Sequence, residues 1–389
     1  MRARLGRIAI LGVPIDNLSM DETVEEIDRL IVAGGFHQVA TANVDFLMNS
    51  IDDDELMDIL HRCELVLADG MPLVWASRAM GTPLKGRIAG ADLLPRLLEL
   101  SQSNKRRIFL LGATEERSQA AAAWIRSAYP GAELAGRYSP PFAPLEEMDH
   151  AHILKLIEEA DADILLVAFG NPKQEKWLAM HRSKLQVPVC IGVGASIDFL
   201  SGSYRRAPGW MQQHGLEWLH RFSQEPKRLA GRYARNAFGI AVHLSMQMLA
   251  VSSQSRSAEG SRLVVVQENR ALIVRVVGRF TGKLLEEFQQ SLQRSLRAHC
   301  ALVMDMNLTT YVGADGLGTL LDLRGRLHDA GQEVWMVGMR SGLRRLFRTA
   351  FLDRRLFQFA PRVADALRRI DSMAPNSVPA SMLHRFYKE

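Results

Sequence analysis

Cysteine is scarce in this 389-residue chain: Cys63, Cys190 and Cys300 lie far apart, with no C-x-x-C and no metal-ligand spacing. That excludes a disulfide framework and leaves small buried thiols in a reducing compartment. Long apolar runs are missing too. The first, IAILGVPI, is broken by Pro14 and Asp16, so no secretory signal is evident. The most membrane-like stretch, AFGIAVHLSMQMLAVSS, carries His243 and Gln247. A spanning helix needs roughly 20 mostly apolar residues, so an interfacial or buried helix is the better expectation. No G-x-G-x-x-G and no Walker A sequence occurs, which removes the dinucleotide fingerprint and the P-loop. His37, His61, His181 and His214 show no H-E-x-x-H spacing. IDDDEL offers a D-x-D pair of the kind that holds metals, but the helical period of ELMDILHRC follows at once, so an acid-rich helix N-terminus is the better account. No metal site and no cofactor are expected, and no internal repeat is present.

What is there reads as a globular protein, with 47% apolar and 23% charged residues. The length is too great for one ordinary core and implies two domains. Net charge is a mild +5, but residues 204–236 hold seven Lys/Arg against two Asp/Glu. Such a patch favours phosphates or an anionic lipid surface.

Residues 1–250 alternate apolar strand-like runs with amphipathic helical ones, the pattern of an α/β domain. The runs RIAILGV, FHQVATAN, CELVLAD, RRIFLLG, ADILLVAFG and PVCIGVG read as strands, and helices are expected over 20–32, 53–61, 72–80, 90–101, 115–128, 145–160 and 173–181. Short connections fit a wound, mostly parallel sheet with helices on both faces. A basic appendage covers about 203–250, and the polar, turn-rich 251–261 reads as a linker. The register then restarts over 262–370. There RLVVVQE, ALIVRVVGR, ALVMDM and EVWMVGM alternate with helices near 283–299, 316–330 and 341–351, and 371–389 is expected to be a poorly ordered tail.

Strands that end in Gly and then present Gln, Lys, Ser and Asp describe the ligand-facing edge of a parallel sheet. The run 163–198 does this twice, through AFGNPKQEKW and IGVGASID. VATANVDFL puts Thr41 and Asn43 on one face at a strand end. Asp69 follows another strand, with Gly70 and Pro72 beginning a helix, so capping competes with chemistry there. Arg228, Arg232 and Arg235 share one face if their segment is helical, and Pro226 separates them from Arg221. A solvated basic face is the plain alternative.

Taken in order, TANVDFL, ADGMPLVWASRAMG, GRIAGADLLPRLL, IFLLGATEE, AFGNPKQEKWLA and IGVGASIDFLSGSYRRAPGWMQQHGLEWLHRFSQEPKRL resemble the WecG/TagA/CpsF glycosyltransferases, family 26, across residues 8–238. The resemblance implies a Rossmann-like domain with a C-terminal helical appendage. It also implies metal-independent, inverting transfer from a UDP-sugar to an undecaprenyl-diphosphate-linked saccharide. By motif position Asp69 resembles the catalytic base, and Thr41, Asn43, Arg87 and Gln174 fall at active-site positions. Gly112, Gly194 and Asp198 line the same strand-end loops. Arg221 and Arg228 match appendage arginines thought to complete the site at the membrane. Arg232, beside Gly231, stands at a third basic position.

Beyond the linker, ALVMDMNLTTYVGADGLGTLLDLRGRLHDAGQEVWMVGM resembles a STAS domain of the anti-sigma-factor-antagonist type. In that family a Ser or Thr in an Asp-Ser-Ser/Thr-Gly loop is phosphorylated. Here the loop reads Gly313, Ala314, Asp315, Gly316, which puts Asp315 at the phosphoacceptor position. A fixed carboxylate carries about one charge against ~1.5–2 for a phosphoserine, so a permanent docking module is expected rather than a phosphoswitch. Thr309, Thr310 and Thr319 stand nearby, as pocket lining or caps.

The implied partners are a UDP-sugar donor, a lipid-diphosphate saccharide acceptor, an anionic membrane surface and a protein bound by the STAS-like domain. Nucleic acid is not expected, and homo-oligomerisation is left open. The expected location is the cytoplasm, peripheral on the inner face of the cytoplasmic membrane. The competing function is a non-catalytic scaffold that binds a nucleotide sugar and acts through the STAS-like domain.

Overall fold

In the first apolar run the chain doubles back on itself. Leu11 and Gly12 take positive φ (49° and 84°), and this turn splits RIAILGV into β1 (Arg7–Ile10) and β2 (Val13–Asp16), an antiparallel hairpin. The expectation of a strand in the main sheet is corrected accordingly. A buried ion pair fixes the hairpin. Arg7 Nε donates to Asp16 Oδ1 at 2.9 Å, Arg7 Nη2 reaches the carbonyls of Cys63 and Glu64, and Asp16 Oδ2 accepts from the Val66 N–H. With the pair so fully engaged, removing one partner would strand a buried charge.

The computed structural model describes residues 6–200, 207–209, 211, 219–220, 223, 226–254, 260–268, 271–295, 301–329, 332–353 and 356–372. It forms two compact units, Gly6–Met248 and a second from Leu249 onward.

The first unit is built on a six-stranded, wholly parallel sheet of β3 (His37–Ala42), β4 (Leu65–Ala68), β5 (Arg107–Gly112), β6 (Glu133–Tyr138), β7 (Ile164–Ala168) and β8 (Val189–Gly192), in the order β4-β3-β8-β7-β5-β6. Alternation along the strands feeds two cores. Ile108, Leu110, Ile164 and Leu166 pack on one face with α1 (Met20–Ala33), α5 (Gly90–Asn104) and α6 (Glu115–Ala128). Phe109, Leu111, Leu165 and Val167 pack on the other with α7 (His150–Ala160) and α8 (Lys173–Met180). Sequence reading missed edge strand β6, whose residues are at most half-buried. It also missed α2 (Val44–Asp52). The acid-rich IDDDEL is a helix start, as expected: Asp53 caps α3 (Asp54–Arg62) by accepting from the Leu56 N–H at 3.0 Å, and Lys176 pairs with Asp53 and Glu55.

Helix α4 (Met71–Ala79) follows β4, and beyond β8 come the single turn α9 (Ile197–Leu200) and the long α10 (Pro226–Ser252). Helix α10 carries the membrane-like stretch and runs into the expected linker. Its Gln247 is fully buried, taking the Leu11 N–H at 2.9 Å and giving an N–H to the Ala9 carbonyl at 3.0 Å. Phe238 and Met246 are exposed on the same helix. Among the described residues no helix is long and apolar enough to cross a membrane.

The second unit has its own six-stranded sheet, in the order β12-β10-β11-β13-β14 with β9 paired antiparallel to β10. These strands are β9 (Arg262–Glu268), β10 (Ala271–Phe280), β11 (Ala301–Asp305), β12 (Thr309–Val312), β13 (Val334–Val337) and β14 (Gln358–Ala360). Helices α11 (Lys283–Ser295), α12 (Ala314–Asp329), α13 (Ser341–Thr349) and α14 (Val363–Ser372) complete it. Strands β12 and β14 and helix α14 were not foreseen. The expected tail begins inside α14, and 373–389 lie outside the described residues.

Candidate active site

All six strands of the first sheet end on one edge, and the loops leaving that edge hold most of the residues singled out above. Strand β5 leads by α6 outward to β6, while β7 leads by α8 the other way to β8. That divergence opens the crevice in which parallel sheets bind ligands.

Asp69 directly follows β4 and is half-buried. Its N–H donates to the Ala42 carbonyl at 2.8 Å, which draws the ends of β3 and β4 together. It does not act as the cap of α4: that cap is Gly70, with no side-chain hydrogen bond. The Ile88 N–H donates to the Ala68 carbonyl at 2.8 Å, so the Arg87 segment lies alongside the end of β4. Arg87 in turn is held by Asp92, Nη2 to Oδ2 at 2.7 Å. Gly90 opens α5 against the β8 loop, because a Cβ there would lie 2.7 Å from Ser196 Oγ.

Other candidates take structural partners. Thr41 is buried and donates Oγ1–H to the Gly192 carbonyl at 3.1 Å. Asn43 caps α2, accepting from the Phe46 N–H at 3.2 Å. Asp198 is buried and paired with Arg117 at 3.1 Å. Gly112 must be glycine for two reasons: φ is +100°, and a Cβ would meet Phe169 Cδ1 at 2.8 Å. Arg221 lies outside the described residues. Arg228 and Arg232 are on α10, as the helical-face reading expected, but their side chains lie outside the described residues.

Gln174 is only 2% exposed and its amide is engaged at both ends. Oε1 accepts from the N–H groups of Gly170 and Gly194, each at 3.1 Å, which staples the β7 loop to the β8 loop. Nε2 donates to Glu175 Oε1 at 2.7 Å. Glu175, which sequence reading overlooked, is 1% exposed. Burial pushes its carboxyl up to about 7, against the hydrogen bonds from Gln174 and Asn171. Asn171 Nδ2 donates to Glu175 Oε2 at 3.0 Å, and Asn171 Oδ1 accepts from Asn49 of α2 at 2.7 Å. The signal for Glu175 was its place beside Gln174 in the first turn of α8, but an acid there also suits the helix dipole. Among the described residues no group of three His, Cys, Asp or Glu could hold a metal ion.

In the second unit Asp315 lies in the first turn of α12. Both its oxygens lie within reach of Thr281 Oγ1–H, at 2.8 and 2.7 Å, and the N–H groups of Gly282 and Gly316 add bonds of 2.8 and 2.9 Å. Thr309 and Thr319 are buried.

These features define an α/β protein whose candidate site lies on the carboxyl edge of a parallel sheet. Residues 8–254 match the Glycosyl transferase WecG/TagA/CpsF family and residues 262–366 match the STAS domain. The chain belongs to the WecG/TagA/CpsF glycosyltransferase family, with a STAS domain fused behind it, and its enzyme class is hexosyltransferase. Among its relatives is the N-acetylglucosaminyldiphosphoundecaprenol N-acetyl-beta-D-mannosaminyltransferase of Bacillus subtilis (strain 168), 35% identical over 220 residues, 56% of this chain and 84% of that protein. The protein of the same name from Staphylococcus aureus (strain MRSA252) is 30% identical over 230 residues, 59% of this chain and 89% of that protein. Among solved structures, the anti-sigma factor antagonist SpoIIAA in its unphosphorylated form aligns with 28% of this chain and 99% of its own, at 10% identity and a TM-score of 0.25.

Proposed function

We propose that this protein moves a hexose or N-acetylhexosamine from a UDP-sugar to an undecaprenyl-diphosphate-linked saccharide, with inversion and without a metal, in surface or exopolysaccharide synthesis. The relatives' names support the lipid-diphosphate acceptor. The observation that carries the reading is Asp69: a half-buried carboxylate at a strand end that does not cap α4, beside the Arg87 segment.

The acceptor hydroxyl oxygen bonds to the anomeric carbon while the bond from that carbon to the UDP oxygen breaks, its electron pair leaving with the diphosphate. Asp69 takes the hydroxyl proton. Arg221, Arg228 and Arg232 meet the charge growing on the diphosphate, a task that suits guanidinium forks. Thr41, Asn43 and Gln174 hold the strand-end loops in place around the sugar, and Arg87, Gly112, Gly194 and Asp198 belong to the walls of the donor pocket. The basic appendage rests on the anionic inner face of the membrane, where the acceptor lies. The STAS domain recruits a protein partner. The hydrogen bonds on Asp315 favour a fixed docking module over a phosphoswitch.

The test is UDP release from UDP-sugars with a short lipid-diphosphate saccharide as acceptor. Acceptor-dependent release is expected, and Asp69→Asn should lower turnover by ~10²–10⁴ while leaving the fold intact. Near-wild-type turnover in that variant removes Asp69 from the mechanism. Donor binding without release would favour the scaffold role.

A further inference from the structure

Two adjacent buried polar side chains, Gln174 and Glu175, tie together the loops after β7 and β8 and, through Asn171, helix α2, and only one of the two was foreseen. Each oxygen of Glu175 receives an amide N–H: Oε1 from Gln174 Nε2 at 2.7 Å and Oε2 from Asn171 Nδ2 at 3.0 Å. A carboxylate offers acceptors only, whereas an amide offers one acceptor and one donor group. Both neighbouring amides must therefore turn their nitrogens towards Glu175. That leaves Gln174 Oε1 for Gly170 and Gly194, and Asn171 Oδ1 for Asn49. Gln38 Nε2 on β3 also donates to the Glu175 carbonyl at 3.2 Å. There is no slack around this array. A Cβ on Gly192 would lie 2.5 Å from Gln174 Nε2 and 2.6 Å from Glu175 Oε1.

We infer that Glu175 is a positioning residue for the transfer reaction: its acceptor-only carboxylate sets the orientation of Gln174 and Asn171 and so fixes the loops after β7 and β8, and the helix α2 that follows β3, around the donor sugar. This rests on the reading of the carboxyl edge as the transferase site. A proton on Glu175 would turn one acceptor into a donor facing an N–H and unlock the array. The ionised form is thus the organised one, and burial makes that ionisation fall near neutrality. Glu175 also acts on the buried thiol of Cys63 at the end of α3, on which Arg7, Asp16 and Arg182 act as well. Lys176 on α8 is occupied by Asp53 and Glu55.

The test compares the full-length wild type with Glu175→Gln and with the double variant Glu175→Gln/Asn171→Asp. The amide introduced at position 175 brings a donor against one neighbour. Turning Gln174 strips Gly170 and Gly194 of their acceptor; turning Asn171 sets its N–H groups against those of Asn49. The double variant restores an acceptor-only group in the array, its new carboxylate at position 171 accepting from Asn49 and from the new amide at position 175. The single variant should lose about 10–100-fold in turnover, the scale of a small misplacement, and melt earlier. It should also lose the fall in wild-type turnover below pH about 7. The double variant should recover most of the lost turnover and melting temperature. Single-variant turnover within twofold of wild type, an unchanged acid limb, or a double variant no better than the single would each overturn the inference. If the wild type itself transfers no sugar, the transferase reading fails instead, and the melting order of the three proteins still decides whether the lock exists.

Discussion

Replacing Gly192 by Ala puts one methyl group into the most crowded point of the site. The backbone there needs no left-handed conformation, so the effect is one of space alone. The new Cβ would sit 2.5 Å from Gln174 Nε2, 2.6 Å from Glu175 Oε1 and 3.0 Å from Gln174 Cδ. Ends of long side chains usually move cheaply, but here both are buried and bonded. Displacing Gln174 takes the acceptor from the N–H groups of Gly170 and Gly194. A buried polar group left unpaired costs about 1–3 kcal/mol, and overpacking alone costs ~1–3 kcal/mol. A loss of roughly 2–4 kcal/mol is therefore expected, since partial relaxation keeps the two from adding in full. Gly86→Ala is the control, because a Cβ there meets nothing within 4 Å. Urea unfolding of both variants, followed through the transition of the first unit, measures the difference, with transferase turnover as the second readout. A Gly192→Ala protein within about 0.5 kcal/mol of wild type, the range of an inconsequential substitution, and with unchanged turnover would refute the packing argument.

Acid stability offers a second check. His181 lies against Trp177 and His150, and burial, with the neighbouring His150 next, lowers its pKa to about 4 from 6.5. Folding favours its neutral form, so its contribution is fully present above pH 6.5 and is lost as pH falls towards 4. His181→Gln should therefore flatten the acid-side loss in melting curves taken from pH 4 to 7. For the STAS domain, mass spectrometry of protein from its own cells should find no stoichiometric phosphate in 309–319. Finding it would overturn the fixed-module reading of Asp315.

The sheet of the first unit was legible because its inner strands are buried on both sides and read as unbroken apolar runs. Strand β6 was not, since an edge strand reading ELAGRY has no apolar stripe to betray it. The hairpin was hidden for another reason: Leu11 in the left-handed region is a turn residue that carries no turn signature. At the site, order and spacing found the loops, while the partners of each side chain were beyond reach. Asn43 was correctly placed at a strand end, yet only coordinates show it capping α2. The motif singles out Gln174; Glu175 escapes notice because an acid in a first helical turn already has an ordinary explanation.

The two hydrogen bonds from Gln247 to Leu11 and Ala9 give the late part of the chain a hold on its beginning. A catalytic fragment cut before that glutamine would leave an N–H and a carbonyl of the opening turn with no mate. Anyone severing the transferase from its STAS companion should therefore place the cut downstream of α10, where the first unit keeps its own clasp.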